Sequence, residues 1–265
     1  MGIDQQGRAL RPGVSHSNSL RLFCLPYSGA SAMVYSRWRR KLPAWLQLRP
    51  LELPGRGMRM GEPLQRDLKQ LACQLADEIA AELDGPYALF GHSLGGLLAF
   101  ELAHALRVRG LRAPLALFAS ATAGPARRDV SEYAIEKTDD ELLARLRELG
   151  GTSEEVLGNH ELMHMMLPIL RADFLLCGSF DYGQRAPMAV PIHVFGGKQD
   201  SVKVEALLDW QEETSSGFSL DMFDGGHFYL NEQEASLLRC LRRYAEHHLA
   251  RWCSDLVRQA VRASG

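Results

Sequence analysis

Residues 88–103, ALFGHSLGGLLAFELA, constrain the fold more than any other stretch of the chain. The apolar run Tyr87-Ala88-Leu89-Phe90 reads as a short buried strand. Just beyond it, Leu94, Leu97, Leu98, Leu102, Ala105 and Leu106 recur at helical spacing. Ser93 stands on the turn between them, inside Gly91-His92-Ser93-Leu94-Gly95, a match to G-x-S-x-G. So tight a turn strains the backbone at the serine, and glycines on either side have no Cβ to clash. It pushes the hydroxyl out at the carboxyl edge of a sheet. The free N–H groups and positive dipole end of the new helix are aimed at the same point.

Around this turn, strand and helix signals alternate. Leu20–Leu25 reads as a strand, 33–42 as a helix, 47–53 as a strand, and 65–83 as an amphipathic helix with Leu68, Leu71, Leu75, Ile79 and Leu83 on one face. Leu115–Ala119 reads as another buried strand. Such alternation predicts a mostly parallel sheet with helices on both faces. After Thr122-Ala123-Gly124-Pro125 the strands stop, and as far as Pro187 only helices are signalled. One covers 138–149, with Thr138 as N-cap and Glu141 completing a capping box. Another covers 161–177 and is expected to be interrupted at Pro168. Strand signals resume at 192–195 and 218–223, and 232–251 with the following tail reads as a C-terminal helix. The expected organisation is an N-terminal tail over 1–19 and one domain over 20–265, with a helical lid at about 125–187.

Bulk properties narrow the function. The chain has 265 residues, 46% of them hydrophobic, enough to bury one large α/β core or two small ones. A net charge of −2 provides no general basic field for nucleic acid. No apolar run approaches a bilayer span, and the polar N-terminus has no signal-peptide core. Five scattered cysteines suggest reduced thiols in a cytoplasmic protein, and a monomer is expected. The nine histidines show no metal-ligand spacing, so neither metal nor cofactor is expected.

A serine hydroxyl needs a base to become a nucleophile and a shelter for the oxyanion it creates. His227 follows the last strand signal in MFDGGHFYL, a glycine-bearing loop that can aim it at Ser93. His92 adjoins Ser93 and points away on a sharp turn. For the acid, Asp200 lies just after a strand in PIHVFGGKQDSVK, at the same sheet edge. Asp129 is its rival, in the loop after the preceding strand. Asp224 is close to His227 in sequence but is expected to point elsewhere. The N–H of Leu94 is one oxyanion donor. The other is expected in LPYSGASAMVYSRW, where Pro26 has no N–H and the candidates are Ser28, preferred, and Tyr27.

With these residues in hand, the chain resembles the type II thioesterases of nonribosomal peptide and polyketide assembly lines, and also the medium-chain thioesterase that acts with fatty acid synthase. The stretches that carry the resemblance are LFCLPYSGASAMVYSRW, LELPGRGMRMGEP, FGHSLGGLLAFELA, LPILRADFLLCGSFDY and GGHFYL, spread from about Leu20 to His248. The resemblance implies an α/β-hydrolase fold with a helical lid. It puts Ser93, Asp200 and His227 on the catalytic positions. It also implies a substrate and partner: an acyl or aminoacyl thioester on the phosphopantetheine arm of a carrier protein, cleared from misprimed or stalled synthases. In one departure, Gly197-Lys198-Gln199-Asp200 stands where the family often has Gly-Asp-x-Asp.

Several features carry two readings. Met163, Met166 and Leu167 are candidate acyl-chain contacts, since methionine adapts to varied shapes, or they pack the lid on the core. Arg127-Arg128 and the 37–41 cluster could help dock an acidic carrier or be ordinary solvated charges. Arg56, in LPGRG, shapes a turn or acts near the mouth of the site. Two further functions remain: a small-molecule esterase or lipase with the same triad, although the first loop lacks an HGGG-type motif, and a binding module that keeps only the fold.

Overall fold

Six strands form one all-parallel sheet in the order β2-β1-β3-β4-β5-β6. They are β1 Leu20–Leu25, β2 Leu46–Pro50, β3 Tyr87–His92, β4 Leu117–Ser120, β5 Ile192–Gly197 and β6 Phe218–Phe223. The computed structural model describes residues 19–263. Residues 1–18 of the expected tail lie outside the described part. The helices are α1 Leu68–Ile79, α2 Leu94–Val108, α3 Asp139–Leu149, α4 Glu154–Leu157, α5 His160–Gly178, α6 Val204–Leu208, α7 Tyr229–Glu232 and α8 Glu234–Ala263. Among the described residues no helix is long and apolar enough to cross a membrane.

The period of two along the strands explains both layers. On β1, β3 and β4, Phe23, Leu25, Leu89, Leu117 and Ala119 face a core closed by α1 and α2. Their neighbours Leu22, Cys24, Ala88, Phe90 and Phe118 face the opposite core. That core is closed by Tyr35 and Trp38 of the 3-10 helix Ala32–Arg40 and by Leu237, Leu241 and Leu249 of α8. Strands buried on both faces are continuously apolar, as the sequence of β3 shows.

Element boundaries moved by a few residues for local reasons. The helix expected from 65 begins at Leu68, because Asp67 caps it and accepts the Gln70 N–H at 2.8 Å. The stretch expected as a helix over 33–42 is a 3-10 helix. The predicted capping box is formed: the Thr138 hydroxyl accepts from Glu141 N–H, and Glu141 accepts from Thr138 N–H. Pro168 does not interrupt α5, which runs unbroken from His160 to Gly178. Proline removes one backbone hydrogen bond, and tertiary packing compensates. Leu167, Leu170 and Phe174, immediately around it, are buried against Leu142, Leu146 and Leu157 of α3 and α4.

Parallel strands place all their carboxyl ends on one edge. The loops after β1, β3, β5 and β6 therefore share that edge, and the helical segment between β4 and β5 packs there.

Candidate active site

Ser93 has φ 54° and ψ −119°, a strained conformation for a residue with a side chain. Two features hold it there. Its N–H donates to Ser120 C=O at the end of β4, at 2.8 Å. The turn is also closed so tightly that a Cβ on Gly91 would lie 1.9 Å from Gly95 O, and one on Gly95 would lie 2.2 Å from Leu25 O. Both glycines are obligatory, as the motif implied. The fully buried β3 and the buried stretch Leu94–Leu106 of α2 fix the turn from either side.

The base and acid loops are brought together by a second glycine pair. A Cβ on Gly197 would meet Gly226 O at 2.4 Å, so the loops after β5 and β6 run in backbone contact. Gln199 N–H donates to Gly225 C=O at 3.0 Å. The result is a buried hydrogen bond from His227 Nδ1 to Asp200, 3.0 Å to Oδ2 and 3.2 Å to Oδ1. Both residues are under 10% exposed, at 7% and 8%. Asp200 Oδ1 also accepts from Val202 N–H at 3.2 Å. With Nδ1 engaged by the carboxylate, Nε2 is the nitrogen left for other work. Asp129 is exposed and spends Oδ1 on Ser131 N–H instead. Asp224 points away and pairs with Lys198 at 2.8 Å. That pair also explains the departure at position 198: the lysine replaces an acid beside a surface aspartate.

His92 belongs to a separate network. Its Nδ1 lies 2.8 Å from Ser120 Oγ, which lies 2.6 Å from the Tyr229 hydroxyl. The ring packs 5.2 Å from that of His227, and burial drives its pKa well down. A neutral imidazole beneath the site adds bulk and hydrogen bonding without competing charge.

Ser93 and His227 line one cavity of about 350 Å³, joined there by Tyr27, Ser28 and Phe228. Among the described residues, the N–H groups of Tyr27 and Ser28 have no hydrogen-bond partner. Leu94 N–H, at the first position of α2, has none within the helix. The helical segment between β4 and β5 lines this cavity with Tyr133, Leu146, Leu149, Leu170 and Phe174. Its Gly151 lies against the Phe228 ring, where a Cβ would be 2.3 Å from Cδ2.

The expected acyl contacts Met163, Met166 and Leu167 are not on this wall. They pack in the lid's own cluster with Leu142, Leu146 and Leu157. The turns of α5 that reach the cavity instead carry Leu170, Phe174 and Cys177. Position along the helix decides this: Met163, Met166 and Leu167 lie on the same stripe as Leu170, Phe174 and Cys177, but one to two turns nearer the N-terminus, where they pack with Leu142 and Leu157. The sequence contained that stripe, but not which turns of it would reach the cavity. Of the basic clusters, Arg127 is paired with Asp209 and Glu212, and Arg128 donates to Thr122 Oγ1 at 2.8 Å. Arg56 is the residue whose importance the sequence understated. It is 3% exposed and forms a two-pronged ion pair with the fully buried Asp173.

Residues 20–244 match the family model described as Thioesterase domain. The Gramicidin S biosynthesis protein GrsT of Aneurinibacillus migulanus is 37% identical over 226 residues, which cover 85% of this chain and 88% of the relative. The protein named linear gramicidin dehydrogenase LgrE, of Brevibacillus parabrevis, is 35% identical over 244 residues, covering 91% and 93%. Among solved structures, the type II thioesterase BorB from the borrelidin biosynthetic cluster superposes with a TM-score of 0.79 at 36% identity, covering 90% of this chain and 95% of that one. The parallel sheet, the strained serine elbow and a family match across nearly all of the described residues lead to one assignment: the chain belongs to the thioesterase family and has the α/β-hydrolase fold.

Proposed function

We propose that the protein hydrolyses acyl or aminoacyl thioesters from the phosphopantetheine arm of carrier-protein domains, with Ser93 as nucleophile, His227 as base and Asp200 as its orienting acid. The reading is supported above all by one arrangement. Ser93 and His227 open into one cavity, with Asp200 hydrogen-bonded behind the imidazole. His227 Nε2 takes the Ser93 proton as Oγ attacks the thioester carbonyl. The resulting oxyanion accepts from Leu94 N–H and from Ser28 or Tyr27 N–H. Collapse breaks the C–S bond. The proton on His227 passes to the departing thiolate, leaving an acyl-serine and the free thiol. Water then attacks the ester while His227 takes a proton from it and returns that proton to Ser93, releasing a carboxylic acid. Asp200 holds the imidazole in the tautomer this requires.

The small cavity suits a short or medium acyl group; ligand pockets commonly run from about 300 to 1,000 Å³. Work on carrier-bound groups is supported by relatives whose names place them in peptide and polyketide biosynthesis. LgrE is named a dehydrogenase, but a serine, imidazole and carboxylate in this order favour acyl transfer over hydride transfer. Cys24, Cys73, Cys177 and Cys240 form no disulfide, which supports a reducing, cytoplasmic setting.

The test is release of acyl groups from a purified acyl-phosphopantetheinyl carrier protein, followed by mass spectrometry of the carrier. Wild-type enzyme should clear the acyl group. Ser93→Ala should lose about 10⁶-fold in turnover. Carrier thioesters that survive while simple oxygen esters are consumed would instead favour an esterase.

A further inference from the structure

Arg56 and Asp173 come from segments far apart in sequence and meet in the interior. Arg56 lies in the loop after β2, and Asp173 is on α5 of the lid. Arg56 Nη1 and Nη2 donate to Asp173 Oδ2 and Oδ1, each at 2.6 Å, and the two side chains are 4% and 0% exposed. Burying such a pair costs desolvation that its attraction barely offsets, so stability alone is a poor reason to keep it. Its remaining hydrogen bonds suggest another. Asp173 Oδ2 accepts the Gly29 N–H at 2.7 Å, and Arg56 Nη1 donates to the Ala30 C=O at 3.3 Å. Both contacts fall on the turn after β1, which is closed by Ala30 N–H to Tyr27 C=O at 3.0 Å. The two N–H groups left open in this turn are those of Tyr27 and Ser28, on the cavity beside Ser93.

We propose that the Arg56–Asp173 pair is a positioning device for the oxyanion site: it clamps the 27–30 turn from both sides and fixes it to the lid helix. Gly29, at φ 79°, puts its N–H on the carboxylate, and the turn then carries the Tyr27 and Ser28 N–H groups toward the carbonyl oxygen of the group that Ser93 attacks. Neither charged residue touches substrate. Their effect passes through the backbone of the turn, and through Asp173 the lid and the oxyanion site share one anchor. The inference rests on the proposed role of Ser93.

Steady-state kinetics on an acyl-carrier substrate test it, alongside binding of an alkyl boronic acid. The boronate forms a tetrahedral adduct on the serine and places an oxygen in the oxyanion site. Asp173→Asn keeps the shape and removes the charge. Its kcat should fall about 10²-fold, the size of losing one oxyanion donor, with KM changed by less than about threefold. Boronate affinity should fall by a similar factor. Arg56→Lys keeps the charge and loses the fork, so it should fall between wild type and Asp173→Asn. Where a single variant fails to fold, the double variant Arg56→Met with Asp173→Leu removes both charges together, leaves neither unpaired and frees the turn. That protein should fold and still show reduced kcat and weakened boronate binding. A folded variant with wild-type kcat and boronate affinity overturns the clamp and leaves the Ser93 reading intact. Full activity in Ser93→Ala, or no boronate binding to wild type, overturns both.

Discussion

The sheet edge that carries Ser93, Asp200 and His227 and the helical segment between β4 and β5 are built in opposite ways. At the edge, geometry is imposed by backbone: a positive φ at Ser93, a Cβ-excluding approach between Gly91 and Gly95, and another between Gly197 and Gly226. The loops bearing Ser93 and Asp200 end strands buried on both faces, and the loop bearing His227, after the half-buried edge strand β6, is held by its backbone contact with the loop after β5. The lid is held by side chains. Short helices α3 and α4 and the longer α5 close over a small cluster that includes Leu142, Leu146, Leu157 and Met163. Many of its charged contacts, such as Arg147–Glu154, lie at the surface and contribute little. Its buried ionic anchor to the body is Asp173 with Arg56. A fold of this kind puts its rigidity where proton transfer needs it. The segment over the cavity is held instead by its own smaller apolar core.

The largest expected effect breaks the chemistry without disturbing the architecture. Asp200→Asn should reduce kcat by about 10⁴-fold by presenting His227 with the wrong tautomer, while circular dichroism and thermal unfolding stay close to wild type. If Asp129→Asn has that effect instead, the carboxylate is misassigned. An intermediate effect separates the lid from the body. Met163→Ala should cost about 2–5 kcal/mol, expressed as faster hydrogen exchange in α3–α5 with β1–β5 still protected. Acyl-chain preference should be unchanged, because Met163 is not on the cavity wall. Leu149→Ala, on that wall, should shift kcat/KM toward longer acyl groups, as one or two methylenes typically shift it by about 1–3 kcal/mol. Global loss of protection in Met163→Ala would show that the lid has no independent core.

The smallest expected effect is set by pH and belongs to the body. Burial and neighbouring cations push His104 down to about 3, and burial with the adjacent His248 and His247 imidazoles does the same to His193. In the unfolded chain these groups titrate near 6.5. Between those values the unfolded state binds protons that the folded state refuses, so stability is lost as pH falls below 6.5. Melting temperatures measured from pH 7 to 4 should decline. In His104→Leu the decline should be shallower; an identical slope would remove His104 from the account.

Much of this was legible in sequence because it is local. The strand–serine–helix turn, the glycines around it and the capping box at Thr138 each need only a few neighbouring residues. Alternating apolar runs carried the parallel sheet, and a parallel sheet places the loops bearing Ser93, Asp200 and His227 on one edge. The Asp200–His227 hydrogen bond needed more: the close contact of Gly197 with Gly226, which pattern alone does not reveal. The lid was legible as helices and as a position in the chain. Which turns of α5 line the cavity was not legible: of the two readings of Met163, Met166 and Leu167, they take the packing one, one to two turns from the wall formed by Leu170 and Phe174.

The chain's sequence by itself determined that a serine would be forced outward at the head of a helix, with an imidazole and a carboxylate delivered to the same sheet edge. Backbone sterics and strand periodicity act over short distances, and sequence records them directly. Only the tertiary structure decided which turns of α5 look into the cavity and that Arg56 meets Asp173 beneath the turn at Gly29. Packing partners are chosen in three dimensions among many chemically equivalent apolar stripes and charges, and no local rule tells them apart.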